Sequence, residues 1–258
     1  MGLAWVDVTD FLIGYWRLLL ALFLLLLIAV GLIWAAKLPA RFSSLWAVLR
    51  GLLQLTILGL ILGSVITSVW WVAVALLVMF VVATTTATRR LGFSWERFGI
   101  VAGVMFLGVA IAMLVVFGTA ALEFTPRDLL ALGGIVIGNC MSIATLTGRR
   151  LRIGLHENWE EVEGWFALGA RPRQATARVA RLAASEALIP TIDQTRTTGL
   201  VTLPGAFVGS IFGGASPLEA GQFQILVLAA VITAGSVTAV GLIYLQGAVR
   251  SKPLALAK

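Results

Sequence analysis

The chain has 258 residues, of which 60% are hydrophobic and only 12% are charged, and its mean hydropathy is +1.00. This composition excludes an ordinary soluble domain and indicates a membrane protein that crosses the bilayer several times. The net charge is +7, but the basic residues fall in short segments beside apolar runs. The positive charge therefore indicates membrane topology rather than nucleic-acid binding.

A hydropathy pass predicts an all-α protein with about seven transmembrane helices in a single domain, residues 1–258. Asp7 and Asp10 precede the first apolar run, where a cleavable signal would carry positive charge, so this run is expected to be a retained span. The predicted spans are residues 12–36, 45–66, 69–88, 98–120, 129–147, 190–214 and 222–246.

Lysine and arginine predict the orientation of these spans. An N-terminus outside and a C-terminus inside put 16 of these cations in inner segments, and only Arg17 and Arg127 outside. Such an asymmetry is a strong positive-inside signal. Small residues four positions apart also recur, which favours a compact bundle and a helix-mediated homodimer. The pairs are Gly59/Gly63, Gly99/Gly103, Gly134/Gly138, Gly205/Gly209 and Gly209/Gly213.

Catalytic and cofactor-binding motifs are absent from the sequence. Cys140 is the single cysteine and His156 the single histidine, which excludes an internal disulfide and a soft metal site built from these residues in one chain. No GxxxxGK[ST], GxSxG or HExxH occurs. We expect no enzymatic activity and no cofactor bound by this chain.

The sixth predicted span begins as a polar segment, so Asp193, Gln194 and Arg196 are expected at membrane depth. Ionisable groups there usually face a bundle interior or a water-filled path. Pro190 and Pro204 also predict interruptions, which are common in transporter helices. Alternatively, Asp193 and Arg196 simply pair at the end of the helix.

Residues 149–185 form a long predicted cytoplasmic loop that contains a short amphipathic helix. Trp159, Val162 and Phe166 share one face, and Gly169 is placed to end the helix. The other face carries Glu157, Glu160, Glu161 and Gly164. A helix lying on the membrane surface is the alternative, but an acidic face fits poorly against anionic lipid.

This short helix resembles the coupling helix of ABC transporter permeases, which docks in a groove on an ATPase subunit. Glu163, Gly164 and Gly169 hold the pattern of that motif, while Trp165 stands where a small residue is usual. The resemblance implies a docking set made of Glu160, Glu163, Gly164, Phe166, Gly169 and Arg171.

The segments around this helix resemble one family, the FetB-type (YbbM-like) ABC permeases, which are associated with iron export in bacteria and, in plants, with aluminium tolerance. The matching segments are Gly138 to Met141, Ala167 to Ala170 with Pro172, Gln174 and Ala175, Ile189 to Asp193, Gly199 to Gly205 and Pro217 to Gln224. Arg196 stands where the family commonly has lysine, and Ala206 and Phe207 where methionines usually follow.

The resemblance implies a homodimeric permease of the bacterial inner membrane, coupled to a separate ABC ATPase that holds ATP and Mg, and exporting iron or another metal ion or complex. The expected substrate path comprises Asn139, Met141, Asp193, Gln194, Arg196 and Pro204. Asp193 and Asn139 offer oxygen atoms to a hard cation. Alternatively, such polar residues form helix–helix hydrogen bonds.

Three other functions remain open from the sequence. The first is a secondary transporter or channel that needs no ATPase, in which the short helix is only a connector. The second is a lipid-handling ABC permease. A membrane scaffold or sensor is the third, and the lack of a soluble domain to receive a signal weighs against it.

Overall fold

The computed structural model describes residues 8–37, 43–65 and 68–253. By their internal contacts the residues form two units, Met1–Ser64 and Val65–Lys258. The first contains α1 (Val8–Ala35) and most of α2 (Ser43–Val65). These helices correspond to the first two predicted spans, and they are apolar over most of their length because they are built from leucine-rich sequence.

The second unit contains eight helices among its described residues. They are α3 (Val69–Arg90), α4 (Trp95–Gly118), α5 (Pro126–Glu157), α6 (Trp159–Ala167), α7 (Pro172–Ala175), α8 (Ala177–Thr197), α9 (Gly205–Phe212) and α10 (Pro217–Gln246). Helices α3, α4, α5 and α10 share one core, in which Met105, Leu132, Val136 and Ala234 are fully buried. Helix α8 packs against α5 and α10, and α9 packs against α10.

Glycine sets the closest helix crossings, but at other positions than the sequence suggests. A Cβ atom at Gly108 would lie 2.5 Å from the carbonyl oxygen of Ala234, so α4 and α10 meet backbone to backbone. At Gly99, Gly103 and Gly138 a Cβ atom would meet nothing within 4 Å. The predicted pair Gly99/Gly103 therefore leaves open space within the chain, whereas in the pair Gly134/Gly138 a Cβ atom at Gly134 would lie 3.1 Å from the Met79 side chain. Gly63 lies outside the residues whose side chains are described.

Five helices among the described residues are long and apolar enough to cross a membrane. They are Trp16–Ala35 within α1, together with α3, α4, α5 and α10, and Leu45–Gly59 of α2 is a shorter apolar helix. The chain is therefore an all-α membrane protein, but five such helices are fewer than the seven predicted.

The fifth helix is longer than its predicted span, because α5 continues ten residues beyond Thr147 to Glu157. Hydropathy falls where the arginines begin, but Leu151 and Leu155 are buried one turn apart and keep one face of the helix packed. Arg149, Arg150 and Arg152 thus lie on α5, and not in a loop as predicted.

The sixth predicted span, residues 190–214, is not one helix. Helix α8 begins at Ala177, passes through Pro190 without ending, and stops at Thr197. Gly199 then has a φ of +85°, a left-handed conformation that glycine adopts without strain, and α9 begins after Pro204. The interruption covers residues 198–204, so of the two predicted breaks only the second is present.

Helices α8 and α9 together run the length of α10. The Thr176 side chain donates a hydrogen bond to the Gly247 carbonyl oxygen, which places the start of α8 beside the end of α10. At the other extreme, only residues 213–216 separate α9 from the start of α10. Since α10 has 30 residues, this path covers about 45 Å.

Most described cations of the second unit lie at one end of the bundle, which we call the basic end. Arg152 on α5 donates to the Leu91 carbonyl oxygen after α3, and His156 contacts the Pro253 carbonyl oxygen after α10. The end of α3, the start of α4, the end of α5, the start of α8 and the end of α10 meet here. The basic end holds Arg89, Arg90, Arg97, Arg149, Arg150, Arg152, Arg171, Arg173, Arg178, Arg181, Arg250 and Lys252.

Candidate functional site

The predicted short helix is present as α6, and its apolar face holds it to the basic end. Only Asn158 separates it from α5. Trp159 and Val162 are buried against Leu151 and Leu155 of α5 and against the start of α8, and Phe166 packs at the edge of the same cluster. Because these side chains belong to one buried apolar cluster, α6 is held against α5 and the start of α8 and does not hang from a flexible loop.

Gly169 ends α6 as predicted, since its φ is +85°. The backbone N–H of Gly169 donates to the Phe166 carbonyl oxygen, and that of Ala170 donates to the Trp165 carbonyl oxygen, so the turn satisfies the last carbonyls of the helix. A new helix then starts at Pro172, where the Gln174 side chain accepts a hydrogen bond from the Arg171 N–H at 2.9 Å. We call α6, this turn and α7 the α6 hairpin, residues 159–175.

Two polar contacts brace the α6 hairpin. The indole N–H of Trp159 donates to Glu163 Oε1 at 2.6 Å. Arg178 of α8 donates to both carboxylate oxygens of Glu161 and to Asn158 Oδ1, and these bonds hold the pKa of Glu161 below its ordinary value. Glu163 and Glu161 therefore help to hold the α6 hairpin in place, a role that helical periodicity did not assign to them.

The opposite side of the α6 hairpin faces outward. Glu160, Gly164 and Arg171 are exposed, and so are two large apolar side chains, Trp165 at 47% and Leu168 at 81%. Of the predicted docking set, Phe166 is half-buried in the cluster beneath. Apolar groups rimmed by carboxylates at the basic end are typical of a surface that binds another protein.

The predicted path residues lie on α5, on α8 and at the start of α9. The Asn139 side chain donates to the Ile135 carbonyl oxygen of its own helix at 2.9 Å and is half-buried, and Met141 packs at the edge of the core. Pro204 caps α9 beyond the break. No described hydrogen bond joins Asn139 to α8.

Asp193, Gln194 and Arg196 lie at the end of α8, just before the break, and all three are exposed. Arg196 Nη1 lies 3.4 Å from Asp193 Oδ1, so the pair expected from their spacing is formed. Their side chains are 75% and 58% exposed, and the pair therefore faces away from the bundle core of the single chain. Among the described residues no three His, Cys, Asp or Glu side chains gather to hold a metal ion.

Long apolar helices, one charged end and a braced hairpin define a polytopic membrane protein. The chain matches the family described as "Uncharacterised protein family (UPF0014)" over residues 15–249. It belongs to that family, and the resemblance found in the sequence is confirmed.

Three relatives illustrate the family. "UPF0014 membrane protein STAR2" of Oryza sativa subsp. japonica is 36% identical over 90% of this chain and 85% of its own length. "Protein ALUMINUM SENSITIVE 3" of Arabidopsis thaliana is 36% identical, with coverages of 87% and 83%. "Probable iron export permease protein FetB" of Escherichia coli (strain K12) is 31% identical, with 86% of each chain covered. No solved structure matches the chain.

Proposed function

We propose that this chain is the permease subunit of an ABC transporter that exports iron, or another metal ion or complex, across the bacterial inner membrane. ATP and Mg are held by a separate ATPase subunit, and this chain supplies the path through the bilayer. The N-terminus lies outside and the C-terminus in the cytoplasm, so the basic end faces the ATPase. The name of the Escherichia coli relative supports the substrate class.

The main support for the proposal is the way in which the α6 hairpin is attached to the bundle. Its inner face, with Val162 fully buried, is locked to α5 and α8, while its outer face offers Glu160, Trp165 and Leu168. A force applied to the outer face therefore reaches two long helices of the bundle. A mere connector between helices needs neither the buried tryptophan nor the exposed apolar pair.

Two copies of the chain complete the proposed path. Asp193 and Arg196 face outward, and an exposed ion pair in contact with hydrocarbon is costly. A second copy packed against this side of α8 shields the pair from lipid and encloses it in a water-filled space between the two copies. The open face at Gly138, on the neighbouring α5, leaves room for that close approach.

Reconstitution of the chain in vesicles with its co-expressed ATPase tests this function. We expect ATP hydrolysis to rise when iron is supplied, and Asp193→Asn to remove most of that rise. Arg127→Gln, at the opposite end of the bundle from the α6 hairpin, serves as the control and is expected to behave as the parent chain.

The possible outcomes separate the alternatives. A stable complex whose ATP hydrolysis is not stimulated by any metal would agree with an ABC permease. It would indicate that the substrate is a lipid or an organic anion. Transport of metal without any ATPase identifies a secondary transporter or channel and contradicts the proposal.

A further inference from the structure

A cavity of about 340 Å³ opens at the basic end, away from the α6 hairpin's outer face. It lies between the α3–α4 connection, the last turns of α5 and the segment after α10. Its polar lining includes Arg97, Arg152, Gln246 and Ser94, together with one carboxylate, Glu96. The volume suits a small polar group and is far below that of a whole lipid.

Two guanidinium groups converge at this cavity. Arg97 Nη1 and Arg152 Nη1 lie 3.1 Å and 3.0 Å from the same acceptor, the Leu91 carbonyl oxygen. Gly92, whose φ is +82°, turns its own carbonyl toward Arg97 as well. Both side chains are half-buried, so the two like charges lie close together beside the cavity. An anion placed here offsets their repulsion.

The cavity also contains an unused hydrogen-bond donor. Gln246 Nε2 is buried and has no hydrogen-bond partner among the described residues. A buried donor without a partner is unfavourable, and a bound acceptor satisfies it. Gln246 and the two arginines are all hydrogen-bond donors, so they suit the same kind of ligand, an anion rich in acceptor oxygens.

Aromatic residues indicate where this anion comes from. Phe93, Trp95 and Phe98 form a cluster with ring centroids 5.3 to 6.4 Å apart at the start of α4. Trp95 is 78% exposed, and its neighbour Phe93 is also exposed. Exposed tryptophan beside arginine is typical of the level where lipid headgroups lie.

We propose that this cavity binds a phosphate-bearing anion, and that the phosphate belongs to the headgroup of an anionic phospholipid. The two guanidinium groups and the Gln246 amide hold the phosphate oxygens, while the lipid chains lie against the aromatic cluster. Basic pockets between membrane helices commonly hold lipid headgroups in this way.

The test measures lipid binding to the purified full chain in detergent. Phosphatidylglycerol is expected to raise the Tm and to remain bound, one per chain, in native mass spectrometry, whereas phosphatidylcholine does neither. Gln246→Glu adds a negative charge without removing either arginine, and is expected to weaken phosphatidylglycerol binding at least about tenfold. Arg97→Gln is expected to act in the same direction.

Arg181→Gln is the matched control, because Arg181 is an exposed arginine of the basic end that only bonds its own helix. Its lipid binding is expected to equal that of the parent chain. Inorganic phosphate separates the two sources of the anion. If it competes with phosphatidylglycerol and raises the Tm alone, the phosphate site stands and the ligand is a soluble anion. Equal binding of both lipids, or full binding by Gln246→Glu, overturns the proposal.

Discussion

Thr176 and Gly247 are 71 positions apart in the chain, yet the hydroxyl group of Thr176 donates a buried 2.7 Å hydrogen bond to the Gly247 carbonyl oxygen. The same hydroxyl also reaches the Pro172 carbonyl oxygen of its own turn at 2.9 Å. Thr176 therefore joins the α6 hairpin, the start of α8 and the end of α10 at one point.

Replacing Thr176 with valine should loosen the contact between the start of α8 and the end of α10. We expect Thr176→Val to lower the free energy of unfolding by about 1 to 2 kcal/mol, because a buried carbonyl loses its donor. Hydrogen exchange of residues 247–253 should become faster. Thr86→Val is the control, since the half-buried Thr86 bonds the Val82 carbonyl oxygen of its own helix. An equal effect in both variants would contradict this role.

The close crossing of α4 and α10 predicts different effects for two glycine substitutions on α4. Gly108→Ala should cost about 1 to 3 kcal/mol of stability, because the new methyl group meets the Ala234 backbone, which cannot rotate away as a side chain can. Gly103→Ala has open space and should be nearly neutral. Thermal unfolding in detergent checks both, and a costly Gly103→Ala would show that this face is covered in the assembled protein.

Glu163 and Glu160 should differ although both were assigned to docking by the sequence. Glu163→Ala leaves the Trp159 indole N–H without its acceptor, so the α6 hairpin should open more easily and become more sensitive to protease. Glu160→Ala removes only an exposed carboxylate, and should leave protease resistance unchanged while weakening ATPase binding. Equal protease sensitivity in the two variants would contradict the bracing role of Glu163.

The Glu161–Arg178 pair predicts a pH effect at low pH. Hydrogen bonds from Arg178 lower the pKa of Glu161 below its ordinary value of 4.5, so the pair stabilises the α6 hairpin above that pH. Its contribution is lost as the pH falls through the lowered value. Protease sensitivity of the hairpin should rise over this range, and Glu161→Gln should abolish the pH dependence. Added salt should weaken the effect, because the pair is exposed.

Hydropathy and helix punctuation predicted most of the helices. α3 was expected at residues 69–88 and runs to Arg90, and α6 ends at Gly169 as its sequence indicates. These features depend on local apolar content and on a single left-handed residue. These features can therefore be predicted from the sequence without knowledge of the packing.

Long-range packing determined what the sequence did not predict. The last turns of α5 are helical because Leu151 and Leu155 pack on α8, a contact that a hydropathy window cannot detect. The break after Thr197 depends on the left-handed Gly199, whereas the sequence predicted interruptions at Pro190 and Pro204. The cavity beside Arg97 joins residues from three distant parts of the chain, around 91–100, 148–155 and 245–253, and none of them forms a local motif.

The docking of an ATPase on the α6 hairpin is most directly tested by a cross-link. Cys140 is the single cysteine and is buried, so Leu168→Cys places one accessible thiol on the outer face of the hairpin. With a co-expressed ATPase in native membranes, a thiol–amine cross-linker should join the two chains from position 168. The parent chain and Leu114→Cys, on the exposed apolar side of α4, should give no product. Absence of any cross-link from position 168, in membranes where metal export continues, would contradict the coupling role of this hairpin.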